Sequence, residues 1–308
     1  MKILITGGSG FLGRNVINAL SCDGHEIICL DRFIPDWIMK TNVVSVRGDF
    51  CEKNLLESVL DGVDVVFHMA CTLFPAESNE DPYFDVLSNV CGTITLLEKC
   101  VEAKISKFLF MSSGGTIYGK PQTVPTREDH PQKPECSYGI TKLTLEHYLR
   151  LFATQYGLST YAFRLSNPYG RFQNPFSKQG AVAVFAHNIL HNIPISIWGD
   201  GNVQRDFICV DDFVSAVKKV IAMPSVSGEF HELNIGSGVP VSLNDLIFKL
   251  EKICQKNANV NYLPARNFDI PISYLDITKA KQKLGWEPKI TLNAGLEMVV
   301  FWQKTQNY

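Results

Sequence analysis

Tyr138 and Lys142 stand four residues apart in Ser137-Tyr138-Gly139-Ile140-Thr141-Lys142, a run that opens a predicted helix after the breakers Pro131 and Pro134. Residues i and i+4 share one helix face. An ammonium beside a phenol favours the phenolate, so the spacing predicts a tyrosine pKa brought down from ~10. A phenolate at neutral pH is the base needed to take the proton of an alcohol as its carbon gives up hydride. The same pair also suits the exposed face of an amphipathic helix; what raises the chemical reading is a second motif near the N-terminus.

That motif is Thr6-Gly7-Gly8-Ser9-Gly10-Phe11-Leu12-Gly13, directly after an apolar strand, Ile3-Leu4-Ile5, and at the start of a predicted helix. Gly8, Gly10 and Gly13 satisfy G-x-G-x-x-G, and Gly7, Gly10 and Gly13 satisfy G-x-x-G-x-x-G. Glycines in this pattern allow a tight turn, backbone approach to a pyrophosphate and close helix–strand packing. The N–H groups of Phe11, Leu12 and Gly13 then face the phosphates at a positive helix end. Asp31 ends the second predicted strand, where a carboxylate accepts from a ribose diol and repels a 2′-phosphate, favouring NAD over NADP. Arg32 beside it softens that preference. Asp49, before Phe50 and after the third strand, accepts from an adenine amine or caps the helix that follows; both readings stand. His68-Met69-Ala70 follows the fourth strand, so its backbone should face the cofactor, while the His68 side chain reads as packing.

These groups need a frame to position them. Residues 3–5, 26–30, 43–46, 63–67, 107–111 and 160–164 are short, β-branched or aromatic, and continuously apolar, as in strands covered on both faces. Helix-length segments separate them, at about 11–21, 52–61, 83–104 and 137–157. Strands alternating with helices predict right-handed βαβ units in an α/β fold, a doubly wound parallel Rossmann sheet. After Asn167-Pro168 the rhythm breaks, with helices expected near 179–191, 211–223, 242–256 and 291–304. The expected division is residues 1–166 as the NAD-binding domain, with 207–223 returning to it, and 167–308 as a smaller α/β substrate-binding lobe.

Composition narrows the function classes. The 308 residues are 45% apolar and 19% charged with a net charge of −2. That excludes a disordered chain and gives no basic surplus for a nucleic-acid backbone. Nine cysteines, an odd count with no C-x-x-C, several inside apolar runs, predict reduced thiols rather than a disulfide frame or a metal site. With no signal-peptide core and no apolar run near ~18 residues, the expected location is the cytoplasm.

With these residues on the page, the chain resembles the extended short-chain dehydrogenase/reductase family over nearly its whole length. The resemblance is carried by TGGSGFLG, SSGGTIYG at 112–119, SYGITK at 137–142, NPYG at 167–170, IWGDGNVQRDFICVDD at 197–212, NIGSG at 234–238 and KAKQKLGWEP at 279–288. The later motifs are similar to nucleotide-sugar epimerases and dehydratases, above all 4-epimerases. The resemblance implies Tyr138 and Lys142 as catalytic, Asn89 and Ser112 near the nicotinamide, and Asn167 on a sugar diphosphate. It places Ser196 and Trp198 against the base, and Arg205, Arg266 and Asp269 on diphosphate and ribose. It also implies a homodimer through the helices at 83–104 and 137–157.

One departure stands out. The position four residues before Tyr118, where the family carries its catalytic hydroxyl, is Gly114. Ser113 or Thr116 is then the candidate replacement. Gly115 and Thr116 occupy the places where dehydratases carry an acid–base pair, which demotes water elimination. The leading expectation is a nucleotide-sugar 4-epimerase, with Gly114 and Gly115 as a small ceiling over the sugar. A 4-ketoreductase of a dTDP- or UDP-linked 4-keto-6-deoxy sugar using NAD(P)H comes second, and a non-catalytic NAD-binding protein third. Ser273, seven residues after Arg266, takes the place of a bulky Tyr in hexose-only epimerases, which implies room for an N-acetyl group.

Overall fold

A computed structural model describes residues 1–35, 41–177, 179–266 and 270–306. Strands β1 (Lys2–Thr6), β2 (Glu26–Asp31), β3 (Val43–Arg47), β4 (Val65–His68), β5 (Lys107–Ser113) and β6 (Ser159–Leu165) alternate with α1 (Phe11–Cys22), α2 (Lys53–Val59), α3 (Pro75–Glu80), α4 (Pro82–Asp85), α5 (Gly92–Glu102) and α6 (Ser137–Tyr156). The chain continues through β7 (Asn167–Tyr169), α7 (Ala181–His191), β8 (Ile195–Trp198), β9 (Gln204–Cys209), α8 (Val210–Ala222) and β10 (Phe230–Ile235). It ends with β11 (Pro240–Ser242), α9 (Leu243–Cys254), β12 (Val260–Leu263), β13 (Ile272–Ser273), α10 (Thr278–Leu284) and α11 (Leu292–Lys304).

The main sheet is parallel, seven-stranded and ordered β10-β6-β5-β4-β1-β2-β3, so the direction of winding reverses between β1 and β4. That is the switch point at which doubly wound sheets bind ligands. Its central strands are largely apolar because helices cover both faces: Ile3, Leu4, Ile5, Val66, Phe67, Phe108 and Leu109 are fully buried.

Two compact units divide the chain. One comprises residues 1–119, 131–164 and 217–233, the other 120–130, 165–216 and 234–308. The return of 207–223 to the first unit therefore occurs only in part. β9 pairs with β7, β11 and β13 in the second unit's own sheet, and only α8 from Val217 onward goes back. The strand added to the main sheet is β10, reached after α8. Lys107 helps to fix this return: its buried Nζ donates to the carbonyls of Val220 (2.7 Å), Ile221 (3.2 Å) and Met223 (2.6 Å) at the end of α8.

A second difference concerns the helix expected over 83–104. It is built as α4, a π-helical stretch Val86–Cys91, and α5. π-bulges of this kind insert one residue per turn and often mark functional positions; here the widened stretch carries Asn89.

Candidate active site

At the C-terminal end of β1, the glycines separate into two kinds. Gly7 has φ +71°, and a Cβ on it would lie 2.6 Å from the Ala70 nitrogen. On Gly13 a Cβ would meet Gly7 O at 2.6 Å. These two are required by backbone packing. A Cβ on Gly10 would meet only Gly7 O, at 3.5 Å, an ordinary contact. Nothing within the chain demands glycine there, whereas a pyrophosphate lying over the turn does. Gly10 is the N-cap of α1 and gives no side-chain cap, so the first-turn N–H groups at Phe11, Leu12 and Gly13 are those a helix leaves without internal acceptors. The cradle fits a dinucleotide.

Around it, the Asp31 carboxylate accepts from Ser9 N (3.1 Å) and Phe33 N (3.3 Å). This holds a partly buried anion at the rim of the glycine turn, with Arg32 exposed next to it. Asp49 accepts from Cys51 N at 3.0 Å in a local turn, and Glu52, not Asp49, is the N-cap of α2. Phe50 is buried with its ring edge-on to His68, 4.8 Å between centroids. Both His68 nitrogens are engaged, Nδ1 with Thr6 Oγ1 (2.7 Å) and Nε2 with Thr93 Oγ1 (2.9 Å). Burial, helped by the Lys142 charge, brings its pKa down to about 3. A neutral imidazole with no spare nitrogen is a strand-end clasp. Met69 N donates to Thr6 O and Ala70 N to Thr6 Oγ1, so this segment offers backbone at the switch point.

Helix α6 places Tyr138 and Lys142 on one face, as their spacing requires. Its first turn is capped from outside: Ser137 N donates to Asn79 Oδ1 (2.9 Å) and Tyr138 N to Ser78 Oγ (3.0 Å), both on α3. Asp85, fully buried, accepts from Ser137 Oγ (2.8 Å), Thr141 Oγ1 (2.9 Å) and Asn89 Nδ2 (2.8 Å). Lys142 Nζ donates to the Met111 carbonyl at 2.8 Å and lies 5.5 Å from the centre of the Tyr138 ring. Among the described residues the Tyr138 hydroxyl has no hydrogen-bond partner.

The electrostatics differ from the sequence expectation. Burial pushes the Tyr138 phenol well above its usual range, with Cys71, Cys136 and Asp85 adding to the rise. Burial also lowers the Lys142 ammonium, against the opposing pull of Cys71, Asp85 and Glu146. Desolvation outweighs the neighbouring cation, so the protein alone holds the tyrosine as a phenol; a cationic ligand is what would favour the phenolate.

Other expected groups are spent on the protein itself. The Ser112 hydroxyl donates to Glu146 Oε1 (2.5 Å). Asn89 accepts from Thr72 N and donates to Thr72 Oγ1 and Asp85. In the 113–117 loop, the Thr116 hydroxyl is buried without a partner. Ser113 is half-buried and likewise unpartnered among the described residues. Gly114 is buried, and a Cβ on the exposed Gly115 would meet nothing within 4 Å.

The second unit gathers a separate set. Trp198 is 44% exposed, and the Arg266 guanidinium lies 5.3 Å from its ring centre. Gly199, Asp200, Asn202 and Ala265 complete a groove with them. Ser196 is exposed two residues before Trp198 on β8. Arg205 donates to the carbonyls of Gln204 and Ile270 and stands in parallel register with Ser273. Asn167 donates to the Asp206 carbonyl at 3.0 Å. Asp269 lies outside the described residues. Two acidic residues of the 197–212 motif serve the architecture here. Asp206 accepts from Ser237 and Gly238 of the NIGSG turn and from Leu275 N, and Asp212 accepts from Lys289 N and Ile290 N. Among the described residues no cluster could hold a metal, and all nine cysteines are free.

Sequence reasoning passed over Asp85, Glu146, Arg164 and Tyr118. Only Glu146 left a signal: it extends the Tyr138–Lys142 face by one further turn.

Sheet order, switch point and glycine cradle define a dinucleotide-binding α/β protein of the Rossmann class. Residues 3–236 match the model of the NAD dependent epimerase/dehydratase family. A UDP-glucose 4-epimerase of Mycolicibacterium smegmatis is 32% identical over 316 residues, covering 99% of this chain and 100% of that one. A dTDP-4-dehydro-6-deoxyglucose reductase of Escherichia coli is 33% identical over 311 residues, covering 97% and 96%. A solved UDP-glucose 4-epimerase of Thermotoga maritima, with UDP-glucose, superimposes with a TM-score of 0.93 at 35% identity, covering 99% of each chain. The chain belongs to the NAD dependent epimerase/dehydratase family and is an enzyme whose cofactor is NAD.

Proposed function

We propose that the protein is a nucleotide-sugar 4-epimerase, acting on UDP-glucose/UDP-galactose and on their N-acetyl counterparts. The observation that carries this reading is the Tyr138–Lys142 pair, with Lys142 tethered to Met111 and the Tyr138 hydroxyl unpartnered. NAD, when bound, supplies a reversible hydride acceptor and a positive charge. Tyr138 takes the proton of the sugar O4 hydroxyl and returns it after the 4-keto sugar has presented its other face. Lys142 holds the ribose beside Tyr138 and keeps a cation near the phenolate. Phe11, Leu12 and Gly13 receive the dinucleotide phosphates and Asp31 the adenosine ribose diol, while Asp49 and Phe50 flank the adenine. Asn89 and Ser112 shape the nicotinamide end. Ser113, accessible and unpartnered, is the hydroxyl we assign to the sugar O4, ahead of the enclosed Thr116. Trp198 and Ser196 receive the base, and Arg205, Arg266 and Asn167 the diphosphate, since guanidinium forks suit phosphate oxygens.

Purified protein incubated with UDP-galactose and no added nicotinamide should reach a mixture with UDP-glucose. Tyr138→Phe should lose at least ~10²-fold in turnover while still binding NAD. Parental turnover in that variant would remove Tyr138 from the reaction.

One observation favours a second reading, 4-keto sugar reduction: the Escherichia coli relative is a reductase. Consumption of one NADH per sugar, with no interconversion of UDP-hexoses, would select it.

We further propose a homodimer. Val86, Leu87 and Ile140 are exposed apolar residues on the π-helical stretch and α6, and a second copy would cover them. Sedimentation as a single chain would contradict this. No described helix is long and apolar enough to cross a membrane, which accords with a role in the cytoplasm supplying sugars for polysaccharide assembly.

A further inference from the structure

The face that carries Tyr138 and Lys142 continues to Glu146, and Glu146 is the hub of a buried network. Arg164 of β6 and Glu146 are 2% and 3% exposed. The guanidinium grips the carboxylate through Nε (3.1 Å to Oε1) and Nη2 (2.6 Å to Oε2). Its Nη1 donates to the Tyr118 hydroxyl at 2.9 Å. The free side of the carboxylate accepts from Ser112 Oγ. Ser112 and Tyr118 are the two ends of the loop that carries Ser113 and Thr116. Met111, one residue earlier, is held by Lys142.

A buried ion pair is a weak source of stability, because desolvating both charges offsets most of their attraction. What it provides is direction. The planar guanidinium fixes three donors in one plane, so the bonds to Glu146 and Tyr118 set a distance between helix and loop. The loop needs such a fixture because its middle is Gly114-Gly115, the residues with the greatest backbone freedom. Gly139, beside Tyr138, lets the loop seat closely: a Cβ there would press on Thr116 O at 3.0 Å.

We propose that Glu146 and Tyr118, joined through Arg164, are positioning residues that hold the 112–118 loop at working distance from the Tyr138–Lys142 pair. The proposal rests on the reading of that pair as the reacting one. Neither residue touches the reacting atoms. Glu146 has a second effect through charge. The groups facing Lys142 are Tyr138 and Glu146 on its own helix, Asp85 from α4, neutral His68 at the end of β4 and Cys71 three residues beyond it. Removing the Glu146 charge takes away one of the anions that keep Lys142 protonated.

The test uses the full chain with NAD and UDP-galactose, comparing Tyr118→Phe and Glu146→Gln with the parent. Tyr118→Phe removes one acceptor and little volume. It should lower kcat roughly tenfold, because small misplacements of a reacting geometry are costly. KM and NAD affinity should stay within about threefold, Tm should fall by no more than the loss of one buried hydrogen bond requires, and the pH profile should not move. Amide exchange of residues 113–117 should quicken while α6 keeps its protection. Glu146→Gln should lower kcat similarly and shift the alkaline limb of the kcat profile to lower pH. A parental kcat and unchanged loop exchange in Tyr118→Phe would overturn the proposal. So would losses of turnover, NAD affinity and Tm in equal measure, the mark of a merely structural role. Should Glu146→Gln not fold, Tyr118→Phe decides alone. Tyr138→Phe assayed in parallel separates the two levels: full activity there removes the reading of the site itself, whereas the exchange data still report on the clamp.

Discussion

Ser273 lies beside Arg205 in the parallel pairing of β13 with β9, so the residue expected to set sugar size is one strand away from a candidate diphosphate ligand. A pocket excludes a bulky substituent by overlap but discriminates poorly against its absence. Ser273→Tyr should therefore reduce turnover of UDP-N-acetylglucosamine and UDP-N-acetylgalactosamine at least ~10-fold more than that of the plain hexoses. Assays of both pairs with both proteins check this, and equal losses on the two pairs would take Ser273 out of the pocket. His68 carries a different expectation. Its folded pKa of about 3 lies below the unfolded value of ~6.5, so the unfolded chain binds the proton more readily. Stability from this residue is present above pH ~6.5 and is lost progressively as pH falls towards 3, by about 2 kcal/mol between pH 6.5 and 5. Urea unfolding at those two pH values should show the loss in the parent and a smaller one in His68→Gln. The histidine's burial was readable from its place at the end of an apolar strand; its clasp between Thr6 and Thr93 was not, because those partners lie 62 and 25 residues away.

At the scale of elements, the glycine turn and the parallel strands were legible because each is specified locally, by backbone sterics in one case and by unbroken apolar runs in the other. The start of α6 is specified from a distance. Cys136 gives no side-chain cap; the donors of the first turn are met by Ser78 and Asn79, and the helix is pinned by Asp85. Nothing in Pro82-Tyr83-Phe84-Asp85 distinguishes a fully buried acid from an exposed one in the first turn of a helix. Likewise, Arg164 sits in a strand that reads as apolar, and its partner Glu146 is a neighbour only once α6 has packed on the sheet. Asp85→Ala would leave Asn89, Ser137 and Thr141 without their common acceptor. Unsatisfied buried donors cost ~1–3 kcal/mol each before relaxation, so a loss of roughly 3 kcal/mol is expected, read as a lower Tm. Turnover should fall further than NAD affinity, because Tyr138 sits in the turn that is released. Unchanged Tm would mean that the three donors find water instead.

For the molecule as a whole, the first unit is assembled from three stretches of chain, and its last strand, β10, comes only after residues 165–216 of the second unit have been traversed. A ribosome delivers the chain in order. When residue 165 has emerged, β6 is an unpaired edge, and the ammonium of Lys107 has none of the three carbonyls that it meets in the finished protein. Those arrive 55 to 58 residues later, a delay of several seconds at ~5–20 residues per second. An open, apolar edge strand is a template for mispairing during that wait. A fragment ending at residue 166 should accordingly aggregate and fail to retain NAD. Grafting residues 217–233 after a short flexible linker should restore solubility and NAD binding, as measured by light scattering and cofactor retention; a soluble, NAD-binding 1–166 fragment would show that the edge tolerates exposure. The nucleotide half of this enzyme is thus the first to be started, yet its completion waits until a 52-residue stretch of the other half, residues 165–216, has been made.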